Sequence, residues 1–125
     1  MAQEYDLAGR VIGCAMQMHR VLGPGFLEIV YSNALGVELT KAGIAHAKEA
    51  QIKVIYSGVE VGNYFADLMV EDQLIVELKA VEKLAVAHEV QLVNYLTATG
   101  IDIGLLLNFG GIDLDYKRRT RFLQR

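Results

Sequence analysis

The sequence predicts an α/β fold in which a mixed β-sheet is flanked by helices, with elements in the order ααβββαββ. Three observations carry that reading. Two stretches of helical spacing lie on either side of Gly23-Pro24-Gly25. Runs of β-forming residues follow, separated only by short polar turns. A third helical stretch then leads into the segment from Asp102 to Asn108, a near-continuous apolar run of the kind a central strand covered on both faces requires.

From about Glu4 to Leu22, the residues Leu7, Val11, Ala15, Met18 and Leu22 form one apolar stripe at helical spacing. Gly23-Pro24-Gly25 ends this helix, because proline cannot continue it and glycine accepts the turn. A second helix is expected from Phe26 to Ala42, with Leu27, Tyr31, Leu35 and Leu39 on neighbouring faces and Gly43 as its stop. Ala47 to Tyr56, Val59 to Val70 and Leu74 to Val81 read as strands of an antiparallel meander, turned at Ser57-Gly58 and at Glu71-Asp72-Gln73. Lys53 and Glu60 read as exposed strand positions with no special role. Leu84 to Thr99 is a helix closed by Gly100. Its apolar stripe is Val86, Val90, Val93 and Thr97, while His88, Gln91 and Tyr95 share another face. Gly110-Gly111 makes a turn, and Ile112 to about Arg121 alternates as an edge strand.

A chain of 125 residues predicts one domain over positions 1–125, long enough to bury a core. The composition is 53% hydrophobic, yet the longest apolar runs, such as Ile103 to Leu107, are far too short to span a bilayer. No membrane partner is expected. The acidic start lacks the basic and apolar regions of a signal peptide, and the one cysteine, Cys14, cannot form an internal disulfide. A cytoplasmic location is the expectation, and a homo-oligomer stays open. The formal net charge is −3, but Lys117, Arg118, Arg119, Arg121 and Arg125 crowd into the last nine residues. Such a segment either contacts phosphates or is a solvated face, and the sequence leaves both open. No phosphate-binding glycine loop, zinc-type Cys/His cluster or Ser/His/Asp arrangement is apparent.

The stretch from Asn63 to Lys79 concentrates the chemistry. If Val70 pairs with Leu74 across its turn, Asp67 lies opposite Glu77 with their Cβ atoms roughly 5 Å apart. Glu77 and Lys79 are two residues apart and point to one face of their strand. Two carboxylates and an ammonium thus meet inside an apolar hairpin. Opposed like charges there cost free energy unless a proton or a cation lies between them. A hard divalent cation suits the oxygen donors and tolerates water in its remaining positions.

The spacing Asp67 then Glu77-x-Lys79 resembles the core motif of the PD-(D/E)XK nuclease superfamily. Gly25-Phe-Leu-Glu28-Ile-Val-Tyr31 reads G-x-x-E-x-x-Y, and Gln91-Leu-Val-Asn-Tyr95 reads Q-x-x-x-Y. Together these runs are similar to the GxxExxY protein family, placed near the RecB-like branch of that superfamily. The resemblance extends from about Tyr5 to about Arg119. One departure is Ala66, which stands where the motif has proline before the aspartate.

The resemblance implies a restriction-endonuclease-like core and hydrolysis of nucleic-acid phosphodiesters. Asp67, Glu77 and the Leu78 carbonyl would hold Mg²⁺ (or Mn²⁺), aided by Glu28. Lys79 would orient or deprotonate the attacking water. Gln91 would hold Lys79 or the phosphate, and Tyr95 would stack on a base or contact the backbone. Lys117, Arg118, Arg119 and Arg121 are the candidate nucleic-acid contacts. Each has a plainer reading beside it. Glu28 also suits a helix N-terminus electrostatically. Gln91 and Tyr95 also suit a buried hydrogen-bonded pair, and His88 an ordinary exposed helix position. A nuclease-like binding or assembly module with little turnover is the alternative to an enzyme.

Overall fold

In the computed structural model, which describes residues 6–121, the first helix, α1 (Leu7–Leu22), starts where Asp6 accepts the Gly9 N–H at 2.9 Å. That side-chain cap sets the start three residues later than the spacing suggested. Glu4 and Tyr5 lie outside the described residues. Leu7, Val11, Ala15 and Met18 are buried as one stripe. Helix α2 (Glu28–Lys41) buries Tyr31, Leu35 and Leu39 against α1. It begins two residues after Phe26, because Leu27 is extended, with φ −70° and ψ 155°, and stands as the N-cap.

The strands are β1 (His46–Tyr56), β2 (Val59–Val70), β3 (Leu74–Lys79), β4 (Ile103–Asn108) and β5 (Asp115–Thr120). They form one mixed sheet in the order β1-β2-β3-β4-β5, antiparallel except for β3 and β4. A parallel pair needs a crossover, and helix α3 (Val86–Thr99) supplies it. Helices α1 and α2 cover one face of the sheet over Leu68, Val70, Val76, Leu78, Leu105 and Leu107. α3 covers the other over Ile52, Ala66, Ile75 and Leu106. The two central strands are covered on both faces and therefore read as unbroken apolar runs. The predicted class and element order thus hold. Among the described residues, no helix is long and apolar enough to cross a membrane.

Two further boundaries and one helix face differ from expectation. β3 stops at Lys79 because the Asn108 side chain takes both the N–H and the carbonyl of Val81, at 3.0 and 2.9 Å. α3 starts at Val86 because the His88 ring nitrogen Nδ1 accepts the Ala85 N–H, so this histidine caps its helix. The buried face of α3 is Leu92, Val93, Tyr95 and Leu96, whereas Val86, Val90 and Thr97 face solvent. The helix carries apolar residues on more than one face, and its larger side chains win the interior.

One irregularity shapes everything near β2. Lys48 pairs with Leu68 and Ala50 with Ala66, but Glu49 and Asp67 between them drop out of the ladder. Glu49 has φ 52°, in the left-handed region rarely adopted by a non-glycine residue. On one side of this point Leu68 and Val70 pack under α1 and α2; on the other, Ile52 and Ala66 pack under α3. The hairpin therefore changes face at Glu49–Asp67, and its outer half wraps over α3.

Candidate active site

Val70 pairs with Leu74, Met69 with Ile75 and Leu68 with Val76, the register expected from the turn. The ladder then ends. In place of the next backbone pair, the Asp67 N–H donates to Glu77 Oε2 at 2.7 Å, and the Leu78 N–H donates to Asp67 Oδ2 at 2.7 Å. Each carboxylate thus closes the backbone of the opposite strand with one oxygen and keeps its second oxygen for other partners. The strands part at the two acids, and the gap between them is the candidate centre.

Glu77 is only 5% exposed, the single charged residue in the buried run Leu74-Ile-Val-Glu-Leu78. Burial, and then the charge of Asp67, pushes its pKa up to about 7. Burial also raises the Asp67 carboxyl, opposed by the Leu78 N–H bond and by Lys79. A proton held by Glu77 relieves the opposition of the two carboxylates. Lys79 is half-buried and near enough to favour the ionised form of both acids, yet among the described residues it is in an ion pair with neither.

On the α1–α2 side the gap opens into a cleft of about 440 Å³, lined by Asp67 and Leu78 together with Glu28, Ser32, Lys48 and Glu49. Glu28 stands in the first turn of α2, exposed into this cleft, and its charge is felt at Glu77. Tyr31 holds that turn in place. It is fully buried, donates its hydroxyl to the Gly23 carbonyl at 2.6 Å, accepts the Phe26 N–H at 3.2 Å, and stacks on Phe109 with centroids 4.8 Å apart. Gly25 in the same loop has φ 108°, a conformation only glycine adopts without strain. The glycine and tyrosine of G-x-x-E-x-x-Y are thus the scaffold on which the glutamate is presented.

On the α3 side, Tyr95 is buried, with its hydroxyl raised first by burial and then by the charges of Glu77 and Asp67. Gln91 is half-buried one turn earlier, and its side chain makes no hydrogen bond to Lys79 or Tyr95 among the described residues. Both side chains line a second, larger groove with Tyr64.

The basic residues sit elsewhere. β5 is the edge strand, and its alternation sends Lys117 and Arg119 towards one face and Arg118 towards the other. Arg118 pairs with Asp6 at 2.9 Å, Arg119 with Glu89 on α3, and Arg121 with Asp102 at 2.9 Å. Lys117 is in no ion pair among the described residues. Arg125 lies outside them. Glu49 and Tyr64 were not singled out from the sequence. The register of the first hairpin, which sets Glu49 beside Asp67, is the signal that could have found the former.

Among the described residues, no three acidic, histidine or cysteine side chains lie together as a ready-made metal cage. The candidate oxygen donors at the gap are the two carboxylates, each tied to the opposite strand, and the Leu78 carbonyl. The carbonyl of Lys79 accepts from Phe109 towards β4, so strand alternation turns that of Leu78 to β2. This all-oxygen set fits a hard divalent ion that keeps several waters.

A model of the PD-(D/E)XK nuclease superfamily matches residues 5–120. In fold the chain is similar to an alkaline exonuclease (LHK-Exo) from Laribacter hongkongensis, with a TM-score of 0.53 at 13% identity, covering 70% of this chain and 52% of that one. It is similar also to SSO0001, with a TM-score of 0.56 at 17% identity, covering 76% of this chain and 51% of the other. The chain spans about half the length of either structure. No curated protein matches the sequence.

Proposed function

The chain belongs to the PD-(D/E)XK nuclease superfamily, and on that premise we propose that it is a Mg²⁺- or Mn²⁺-dependent nuclease acting as a single domain, with its centre in the gap between β2 and β3. The observation that carries this reading is the reciprocal pair of carboxylate–amide bonds at Asp67 and Glu77, which fixes both acids and leaves each a free oxygen. Asp67, Glu77 and the Leu78 carbonyl would hold the ion, with Glu28 reaching it across the cleft directly or through water. When bound, a divalent ion of this kind polarises a phosphoryl oxygen and lowers the pKa of its water.

The remaining chemistry falls to the chain. As the ammonium, Lys79 orients the attacking water or offsets charge on the phosphate, and its freedom from an ion pair leaves it available for that work; only after losing a proton, as the neutral amine, could it deprotonate the water. Gln91 steadies Lys79 or the phosphate once substrate is present, and Tyr95 contacts the substrate beside the acids. Lys117 contacts the strand backbone most simply, since Arg118, Arg119 and Arg121 exchange a carboxylate partner for phosphate when they bind it. The G-x-x-E-x-x-Y and Q-x-x-x-Y runs support placement in the GxxExxY family.

The paired arginines favour a second reading, a nuclease-like binding or assembly module with little turnover. Cleavage of labelled single-stranded and duplex DNA and RNA, in Mg²⁺, Mn²⁺ and chelator, separates the two. Metal-dependent cleavage lost at least 100-fold in Glu77→Ala and Lys79→Ala is expected, the range typical for electrostatic and acid–base groups. Equal residual cleavage in parent and variants would leave the binding module standing.

A further inference from the structure

We propose that the groove between α3 and the outer half of the β1–β2 hairpin is a subsite for an unpaired nucleobase, so that single-stranded nucleic acid is the preferred substrate. The inference rests on the nuclease reading above and names its substrate class. The groove encloses about 940 Å³ and is walled by Val54 and Tyr64 of the hairpin and by Val90, Gln91, Asn94 and Tyr95 of α3. It exists because the hairpin changes face at Glu49–Asp67 and lays its outer strands over α3.

No charged residue lines the groove, although the chain is 22% charged and the cleft at Asp67 holds three acids and a lysine. Its wall instead combines open apolar side chains, with Val86 74% and Val90 53% exposed, and two tyrosine rings whose centroids lie 5.6 Å apart. Two side-chain amides, of Gln91 and Asn94, offer both donors and acceptors. This is chemistry for a base and not for a phosphate. Aromatic and apolar surfaces stack against the face of any base, amides meet its edge, and a phosphate would find no cation.

Tyr95 ties the groove to the acids, since it lines the groove and also feels the charges of Glu77 and Asp67. A base seated against Tyr95 therefore brings its strand towards the acids whose charge Tyr95 feels. In a duplex the base faces are stacked and the pairing edge is occupied, so only an unpaired strand can fill the groove in this way.

The test uses the full chain in chelator, where binding is read without cleavage. The probes are a fluorescent single-stranded oligonucleotide, the same strand carrying consecutive abasic sites, and a duplex. The intact strand should bind roughly tenfold or more tighter than the abasic strand or the duplex, the scale of one stacked base. Tyr64→Ala should remove most of that advantage and leave abasic-strand binding unchanged, Tyr64→Phe should keep it, and Val90→Asp should weaken the intact strand more than the abasic one. Equal binding of intact and abasic strands would overturn the proposal. So would a sedimenting dimer that Val90→Asp dissociates, because the groove would then belong to a second copy of the chain. Base-dependent binding without metal-dependent cleavage keeps the subsite and removes the nuclease reading. Cleavage indifferent to abasic substitution does the reverse.

Discussion

Replacing Glu77 by glutamine should make the metal-free protein more stable, and only above a definite pH. Glu77 lies inside β3 with its pKa raised from 4.5 to about 7, by burial first and by the charge of Asp67 second. The folded protein therefore keeps this proton over a range in which the unfolded chain has released it. Stability from the protonated form is complete below about pH 4.5 and is lost as pH rises to about 7, where the folded state must ionise a buried group. That interval corresponds to roughly 3 kcal/mol. Glutamine has the same shape and cannot ionise. Its side-chain oxygen can accept the Asp67 N–H as Glu77 Oε2 does at 2.7 Å, and its amide can donate to the free oxygen of Asp67. In urea titrations with chelator, Glu77→Gln should match the parent within about 1 kcal/mol at pH 5 and exceed it by up to about 3 kcal/mol at pH 8.5. Asp67 is raised in the same direction, and its contribution largely stays in both proteins. Parallel stability curves from pH 5 to 9 would refute the reasoning, since they would mean that Glu77 is ionised at no cost.

Asp67→Asn keeps an oxygen for the Leu78 N–H and removes the opposed charge. It should raise metal-free stability by about 1 kcal/mol and abolish the stabilisation that millimolar Mg²⁺ gives the parent in thermal melts. Tyr31→Phe should cost about 1–2 kcal/mol by chemical denaturation, because it leaves the Gly23 carbonyl and the Phe26 N–H without their shared partner. It should also weaken metal binding if the loop positions Glu28; unchanged stability would show that the hydroxyl bonds are dispensable. If Lys117 meets a phosphate, Lys117→Gln should lower the slope of log affinity against log salt by about 1, and an identical slope would remove it from the interface.

What the sequence carried was local. The turn Glu71-Asp72-Gln73 and two apolar runs define the register that brings Asp67 to Glu77, and period-two alternation puts Lys79 on the Glu77 face. The face change at Glu49 was not legible. Glutamate has no preference for the left-handed region, so only the packing of the outer hairpin over α3 shows why it is there. In α3 the valine stripe and the Leu92–Leu96 row are both apolar at helical spacing, and burial chose the bulkier one. The arginine partners Asp6, Glu89 and Asp102 come from three distant parts of the chain, brought together only by the edge position of β5. A cluster that reads as free cations in one dimension is largely neutralised in three.

The central claim is that the gap between Asp67 and Glu77 is a divalent-ion centre, and paramagnetic broadening by Mn²⁺ tests it without any substrate. The amides of Asp67 and Leu78 donate to the two carboxylates, so they are the nearest backbone reporters of an ion held there. In an amide correlation spectrum, substoichiometric Mn²⁺ should broaden Asp67 and Leu78 first, with Glu28 following. Excess Mg²⁺ should reverse the effect, and Asp67→Asn should prevent it. Broadening that begins instead at the exposed acids Asp113 and Asp115, or that persists unchanged in Asp67→Asn, would contradict the account.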